Sequence, residues 1–335
     1  MTPKFITTNS QLITEVNDFI AEWRKPSSTI SVNTSGSTGA PKLIELCKSN
    51  MVASAQMTGD FFDLKTNQSI LLAISPKTIG GMMVIVRAIV LELNLIVTDV
   101  STTPLNALNE PIDFTAMVPI QVKTSLESSP EKFDLIKTLI VGGGPVSKIL
   151  EDQLKHISPN VYHTFGMTET ISHIALKNIK SSDDCYHTLD EVDIKTENDC
   201  LVIQSLALGL NRLVTNDIVE LKSETSFKWL GRSDFAINSG GIKIIPSLIE
   251  QQLSSLIQQN FFSFGLPDKK LGQRHILVIE NNKGLNLSKL DFDMLDNYKI
   301  PKEIYYINKF NYTSSGKINR SLTIKGLPDS KRYVL

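Results

Sequence analysis

The stretch SILLAISPKTIGGMMVIVRAIVLELNLIVTDV, residues 69–100, holds two short apolar runs on either side of a longer one. SILLAIS and LNLIVTDV have the length and β-branched content of buried strands, while GGMMVIVRAIVLEL is long enough for a helix, so the segment reads as strand, helix, strand. Further strand-like runs, FTAMVP, KTLIVGG and VYHTF, follow as far as Phe165 and alternate with helical patterns such as VSKILEDQLKHI. This alternation predicts an α/β fold around a largely parallel sheet, in which ligands gather outside the carboxyl ends of the strands. Arg87, Glu92 and Asn94 interrupt the apolar run, which argues for a buried helix and strand rather than a membrane span.

Upstream, Leu12, Ile13, Val16, Phe19, Ile20 and Trp23 recur at helical spacing and predict an amphipathic first helix. Beyond about Lys180 the short alternating runs CLVIQSLA, RLVTNDIVEL and FKWLGR predict an antiparallel, hairpin-rich region. A smaller α+β unit is expected to follow, with a helix from Pro246, strands NFFSFGL and RHILVIE, and a last helix near the C-terminus. The expected division is a large domain over 1–232 and a small, mobile one over 233–335, which suits a chain of 335 residues.

With 41% hydrophobic residues, 34 basic against 35 acidic side chains and a formal charge of -1, the composition is that of a soluble globular protein without a nucleic-acid footprint. The opening MTPKFITTNS lacks the charged start and apolar core of a leader, and Cys47, Cys185 and Cys200 form no CxxC pair. A cytoplasmic protein with neither a disulfide framework nor a zinc site is expected; homo-oligomerisation stays open.

Before the first strand–helix–strand unit lies SVNTSGSTGAPKLIE, residues 31–45. Gly36 and Gly39 allow backbone N–H groups to turn inward as an anion nest. Thr34, Ser35, Ser37 and Thr38 add hydroxyl donors, and Lys42 adds a compact positive charge suited to polyphosphate. The spacing excludes a P-loop, which needs four residues between its glycines and a lysine directly after the second. Taken alone, the segment reads equally well as a surface linker. A second segment, YHTFGMTET at 162–170, ends an apolar strand with an aromatic, a glycine, a threonine and a carboxylate. Phe165 suits a base stack, Thr168 a phosphate contact and Glu169 a magnesium ligand, although a strand end with a solvated glutamate reads the same.

TSGSTGAPK at 34–42, VGGGP at 141–145, TFGMTE at 164–169, TND at 215–217, GRSDFAINSGGIKIIPSLIE at 231–250 and SSGKINR at 314–320, in that order along the chain, together resemble the adenylate-forming superfamily of acyl-CoA synthetases, adenylation domains and luciferases. The resemblance implies that residues 34–42 wrap the β- and γ-phosphates of ATP. It places Gly143, Gly144 and Pro145 beside the adenine, His163 at the base edge and Phe165 on the base face. Asp217 and Arg232 fall on the ribose, and Asp234 falls at the hinge between domains. Lys317 becomes the catalytic lysine that bridges the acid's carboxylate and the α-phosphate, with Thr168 donating to phosphate oxygens and Glu169 holding Mg²⁺. After adenylation the small domain is expected to rotate, bringing the loop of Gly240 and Gly241 toward the acyl-adenylate for attack by the thiol of coenzyme A. A carrier-protein thiol is the alternative acceptor, and a non-catalytic nucleotide-binding relative is the alternative to an enzyme.

Only 33 residues precede Thr34, fewer than the superfamily usually has. This trimmed form resembles the o-succinylbenzoate–CoA ligases of menaquinone biosynthesis, which implies an acid with a ring, a ketone and a second carboxylate. Lys77, Thr78, Arg87, Ser172 and His173 are the candidate acid contacts. Arg87 reads equally as a surface-seeking charge on a buried stem, and His173 reads somewhat better as a core residue.

Overall fold

The computed structural model describes residues 1–34, 42–257, 259–280, 292–312, 318–327 and 331–334. Its first strands are β1 (Lys4–Phe5), β2 (Thr29–Thr34), β3 (Lys42–Cys47), β4 (Ser69–Leu72), β5 (Asn94–Val97), β6 (Ile112–Met117), β7 (Ile136–Val141) and β8 (Asn160–Gly166). They are joined by helices α1 (Ser10–Arg24), α2 (Lys48–Phe62), α3 (Ile79–Val90), α4 (Pro119–Ser128) and α5 (Lys148–Leu154). Strands β9 (His173–Asn178), β10 (Tyr186–Thr188), β11 (Asp193–Glu197), β12 (Cys200–Ser205), β13 (Leu210–Ser223) and β14 (Ser226–Arg232) complete this part.

Among the described residues, twelve of these strands form one sheet in the order β1-β5-β4-β6-β7-β8-β9-β10-β14-β13-β12-β11, while β2 and β3 pair as a separate hairpin. In that order the strands from β1 through β5, β4, β6 and β7 to β8 are parallel, and the direction reverses between β8 and β9. Side chains alternate between the two covered faces, as period-two geometry requires of a sheet buried on both sides. Ile70, Leu72, Leu95, Val97, Phe114 and Ile140 join the core under α1, α2 and α3, whereas Leu71, Ile96, Leu139 and Val141 join the core under α4 and α5.

The helices carry the signals expected of them. Asn9 caps α1 by accepting from the Leu12 N–H at 3.1 Å, and Leu12, Val16, Phe19 and Ile20 form its buried stripe. In α3 every residue from Gly81 to Ala88 is buried, Arg87 included, so apart from that one charge the helix is apolar all round because it is covered all round.

After Arg232 the chain makes one short 3-10 turn, Ser233–Phe235, and enters a second sheet. That sheet contains β15 (Ile237–Ser239), β16 (Ile242–Ile244), β17 (Phe261–Asp268), β18 (Gly272–Glu280), β19 (Glu303–Ile307) and β20 (Lys331–Val334). Leu277, Ile279 and Ile304 face α6 (Pro246–Leu253), and Ile276, Val278 and Tyr305 face the side of α7 (Arg320–Ile324). Gly240 and Gly241, with φ of +60° and +82°, form the two-residue turn between β15 and β16. A turn with positive φ at both positions matches strand twist and favours glycine at each. No helix among the described residues is long and apolar enough to cross a membrane.

Candidate active site

The register pair Thr34↔Lys42 closes the β2–β3 hairpin and sets the two ends of the glycine-rich loop side by side. Ser35, Gly36, Ser37, Thr38 and Gly39 lie outside the described residues, as does Lys317.

At the carboxyl end of β7 the chain turns through Gly142, Gly143 and Gly144. Gly143 has φ of +79°, and a Cβ on Gly142 would meet Thr164 Oγ1 at 2.2 Å, so the turn hugs β8 in a way only glycine allows. His163 fastens this turn. Its Nε2 lies 3.2 Å from Gly144 O and its Nδ1 lies 2.7 Å from Tyr186 Oη. A carbonyl only accepts, so Nε2–H donates to Gly144 and Nδ1 accepts from the Tyr186 hydroxyl. Burial pushes the imidazole down to about 4, which keeps it neutral. Both ring nitrogens therefore hold protein groups, and His163 stands behind the turn rather than presenting a free edge. Phe165, half-buried, meets Phe227 edge-on at 5.1 Å and Tyr186 at 5.8 Å.

Beyond β8, Thr168–Thr170 form a 3-10 turn with Glu169 exposed. Asp217 and Arg232 face each other across β13 and β14. Asp217 is buried; its Oδ1 accepts from Trp229 Nε1 at 2.8 Å and its backbone N–H donates to Thr215 Oγ1 at 3.0 Å. Burial raises its carboxyl above the usual range, against the Trp229 hydrogen bond and the Arg232 charge. Arg232 lies 3.9 Å from Asp217 and donates through Nε and Nη2 to the two oxygens of Asp234 at 3.0 and 2.6 Å. The Asp234 hydrogen bonds raise its guanidinium most, with further support from the charges of Asp217 and Glu169. Asp217 and Asp234 thus bracket one arginine that also feels the charge of Glu169, although 65 residues of sequence separate Glu169 from Asp234.

The acid candidates divide. Lys77 is exposed and paired with Glu15 of α1 at 2.7 Å, and Thr78 caps α3, accepting from Gly81 N and donating to Ser75 O. Nine residues separate Thr78 from Arg87, about 13 Å along a helix, so those two are not neighbours on α3. Arg87, Ser172 and His173 do come together. Arg87 is 1% exposed, which overturns the surface-seeking reading, because α3 is covered on the side where the stem would have to emerge. Its Nη2 donates to Ser172 Oγ at 2.6 Å, and its Nε has no hydrogen-bond partner among the described residues. Burial lowers the guanidinium to about 10, still well above neutral pH, so the charge stays. Ser172 Oγ in turn lies 3.4 Å from His173 Nδ1, and His173 Nε2 lies 3.3 Å from Thr58 Oγ1, which donates to Ser54 O at 3.0 Å. Desolvation, with the nearby Arg87 charge, holds His173 well below its ordinary value. The proton order follows: Arg87 to Ser172, Ser172 to His173 Nδ1, His173 Nε2 to Thr58, Thr58 to a carbonyl.

Among the described residues no cluster of three His, Cys, Asp or Glu could hold a metal alone. An exposed single carboxylate such as Glu169 fits Mg²⁺ of the kind shared with substrate phosphates, which takes one or two protein carboxylates. Sequence reasoning missed Tyr186, Trp229 and Thr58. Each acts as a partner from another element, and an isolated aromatic or threonine carries no spacing signal.

A family model described as AMP-binding enzyme matches residues 8–198. The 2-succinylbenzoate–CoA ligase of Staphylococcus epidermidis is 28% identical over 322 residues, covering 86% of this chain and 67% of that protein. The crystal structure of an acyl-CoA synthetase (AMP-forming)/AMP-acid ligase II-like protein from Dyadobacter fermentans is 33% identical, with a TM-score of 0.65 over 95% of each chain. The o-succinylbenzoate CoA synthetase of Bacillus subtilis, solved with its acyl-adenylate intermediate, superposes with a TM-score of 0.77 at 20% identity, covering 91% of this chain and 70% of that one.

Proposed function

This chain belongs to the AMP-binding enzyme family, and from that premise we propose that it is an ATP-dependent acid–CoA ligase acting on o-succinylbenzoate through an acyl-adenylate. The observation that carries the choice of acid is the buried guanidinium of Arg87, which has no carboxylate within salt-bridge distance among the described residues. A buried unpaired charge is expensive, and its retention is explained if the counter-ion arrives with the substrate. A dicarboxylic acid supplies one; a fatty acid would lay methylenes against the charge.

In the first step a carboxylate oxygen of the acid attacks the α-phosphorus of ATP and pyrophosphate leaves. Positioning and charge stabilisation dominate such a transfer. Thr168 contacts the phosphates, Asp217 and Arg232 take the ribose, Phe165 lies along the base, and Arg87 with Ser172 holds the second carboxylate. Mg²⁺ on Glu169 would supply charge neutralisation for the pyrophosphate. Lys317 bridges the reacting carboxylate and α-phosphate, and residues 233–335 move between the two steps. In the second step a thiolate of coenzyme A attacks the acyl carbon and AMP leaves.

The test is a pyrophosphate-release assay over o-succinylbenzoate, aryl monocarboxylic acids and fatty acids, with detection of the CoA thioester. Pyrophosphate and thioester formed with o-succinylbenzoate are expected. A panel in which no acid is activated would sink the ligase reading, and a preference for fatty acids would sink the role given to Arg87.

A further inference from the structure

On the ligase reading above, the turn between β8 and β9 has one arm at the phosphates and the other at the acid, and its backbone conformation is unusual. A Cβ on Gly166 would lie 2.3 Å from Ser172 O and 2.6 Å from His173 Cα, so the two strands close tightly on each other. Ile171, 2% exposed, has φ of +68° and ψ of -52°, a backbone region that β-branched residues avoid. Such a conformation persists only where the surroundings over-determine it, and it clusters at functional sites. The surroundings here centre on Thr170, which is fully buried. Its Oγ1 accepts from Met167 N at 2.9 Å and lies 2.7 Å from Ser172 O and 3.0 Å from Met167 O, so one hydroxyl ties the start of the turn to its end. The backbone adds Ser172 N–H to Thr170 O at 2.7 Å and Ile171 N–H to Thr168 O at 2.9 Å.

We propose that Thr170 is a positioning residue for adenylation: its buried hydroxyl locks the turn so that Thr168 and Glu169 on one arm, and Ser172 with Arg87 on the other, stand at a fixed separation. This rests on the ligase reading above. The step it serves makes a bond between a carboxylate oxygen and the α-phosphorus and breaks the bond from that phosphorus to the oxygen leading to the β-phosphate, whose electron pair departs with pyrophosphate. One arm holds the acid and the other holds the phosphates, so slack in the turn enters the reacting distance directly. Misplacement by about 1 Å costs such a step roughly 100-fold.

The experiment compares wild type, Thr170→Val and Thr170→Ser in two half-reactions: ATP–pyrophosphate exchange dependent on o-succinylbenzoate, and CoA thioester formation from chemically prepared acyl-adenylate. Wild type without exchange on any acid would defeat the ligase reading itself, separately from the role of Thr170. With wild type active, Thr170→Val should lower kcat of exchange by about 100-fold, leave the KM for ATP and the rate from preformed adenylate within about threefold, and Thr170→Ser should restore exchange to within about fivefold. Exchange at the wild-type rate in Thr170→Val overturns the proposal. So does an equal loss in both half-reactions that tracks the folded fraction, which is what a merely structural residue would give. If Thr170→Val does not fold, Thr170→Ala against Thr170→Ser decides in the same assays, and equal exchange in those two overturns it.

Discussion

Arg87 in the first sheet's helical layer and Arg320 in the small second unit are both arginines taken largely out of water, yet they keep opposite company. Arg320 donates to Glu250 Oε2 at 2.9 Å and to Ser263 O at 3.3 Å, and it lies against the rings of Phe235 at 5.1 Å and Phe262 at 5.4 Å. Its counter-ion, its acceptor and its stacking faces all come from the chain. Arg87 is more deeply buried and has one serine hydroxyl, a neutral histidine behind that, and an Nε without a hydrogen bond among the described residues. The two environments teach that burial of a charge has two meanings. Around Arg320 a satisfied charge welds α6, α7 and the turn after Arg232 together; around Arg87 the charge has no counter-ion among the described residues, which is what the proposed acid-binding role requires.

The strongest way to break this contrast is Arg87→Met. It should raise the KM for o-succinylbenzoate about 100-fold while the melting temperature stays level or rises, because a charge-assisted pair with substrate is lost but an unpaired buried charge is removed. The variant should also cease to distinguish o-succinylbenzoate from an analogue lacking the second carboxylate. A lower melting temperature with unchanged KM would make Arg87 a framework residue like Arg320.

Arg320→Met should behave in the opposite sense. Leaving Glu250 without its partner should destabilise the protein by about 2 kcal/mol, measured by denaturant unfolding, with the KM for the acid unmoved. A shift in the acid KM without loss of stability would erase the distinction between the two arginines.

A third comparison is one in which the halves should agree. His163 in the large sheet and His275 in β18 are each lowered to about 4, chiefly by burial. An unfolded histidine takes up its proton near 6.5, so between there and about 4 the unfolded chain binds the proton that the folded chain refuses. Stability is therefore full above about 6.5 and falls as pH drops toward 4, by about 1.4 kcal/mol per pH unit for each such histidine. Unfolding free energies at several pH values should show this slope shrink by one proton in His163→Gln and equally in His275→Gln. An unchanged slope in either would show that its imidazole is not held neutral.

The strand and helix order was legible because burial on two faces writes itself as short apolar runs for strands and a longer one for α3, and because Pro246 marks a helix start through local backbone chemistry. The family resemblance supplied Asp217 and Arg232, the end of the 162–170 segment suggested Thr168 and Glu169, and Arg87 and Ser172 were candidates as polar groups within an apolar helix and just after that segment. What the residues could not reveal was company. An arginine in an apolar helix is surface-seeking or buried according to what packs over it, a histidine at a strand end is free or engaged according to which hydroxyl and carbonyl come within 3 Å or so, and Lys77 turned out to face Glu15 across 62 residues of sequence. Periodicity and turn chemistry act between near neighbours, so the sequence by itself determined the elements and their order. Hydrogen-bond partners and desolvation are set by groups brought together from distant elements, so only the tertiary structure decided which charge is satisfied within the chain and which one, among the described residues, is not.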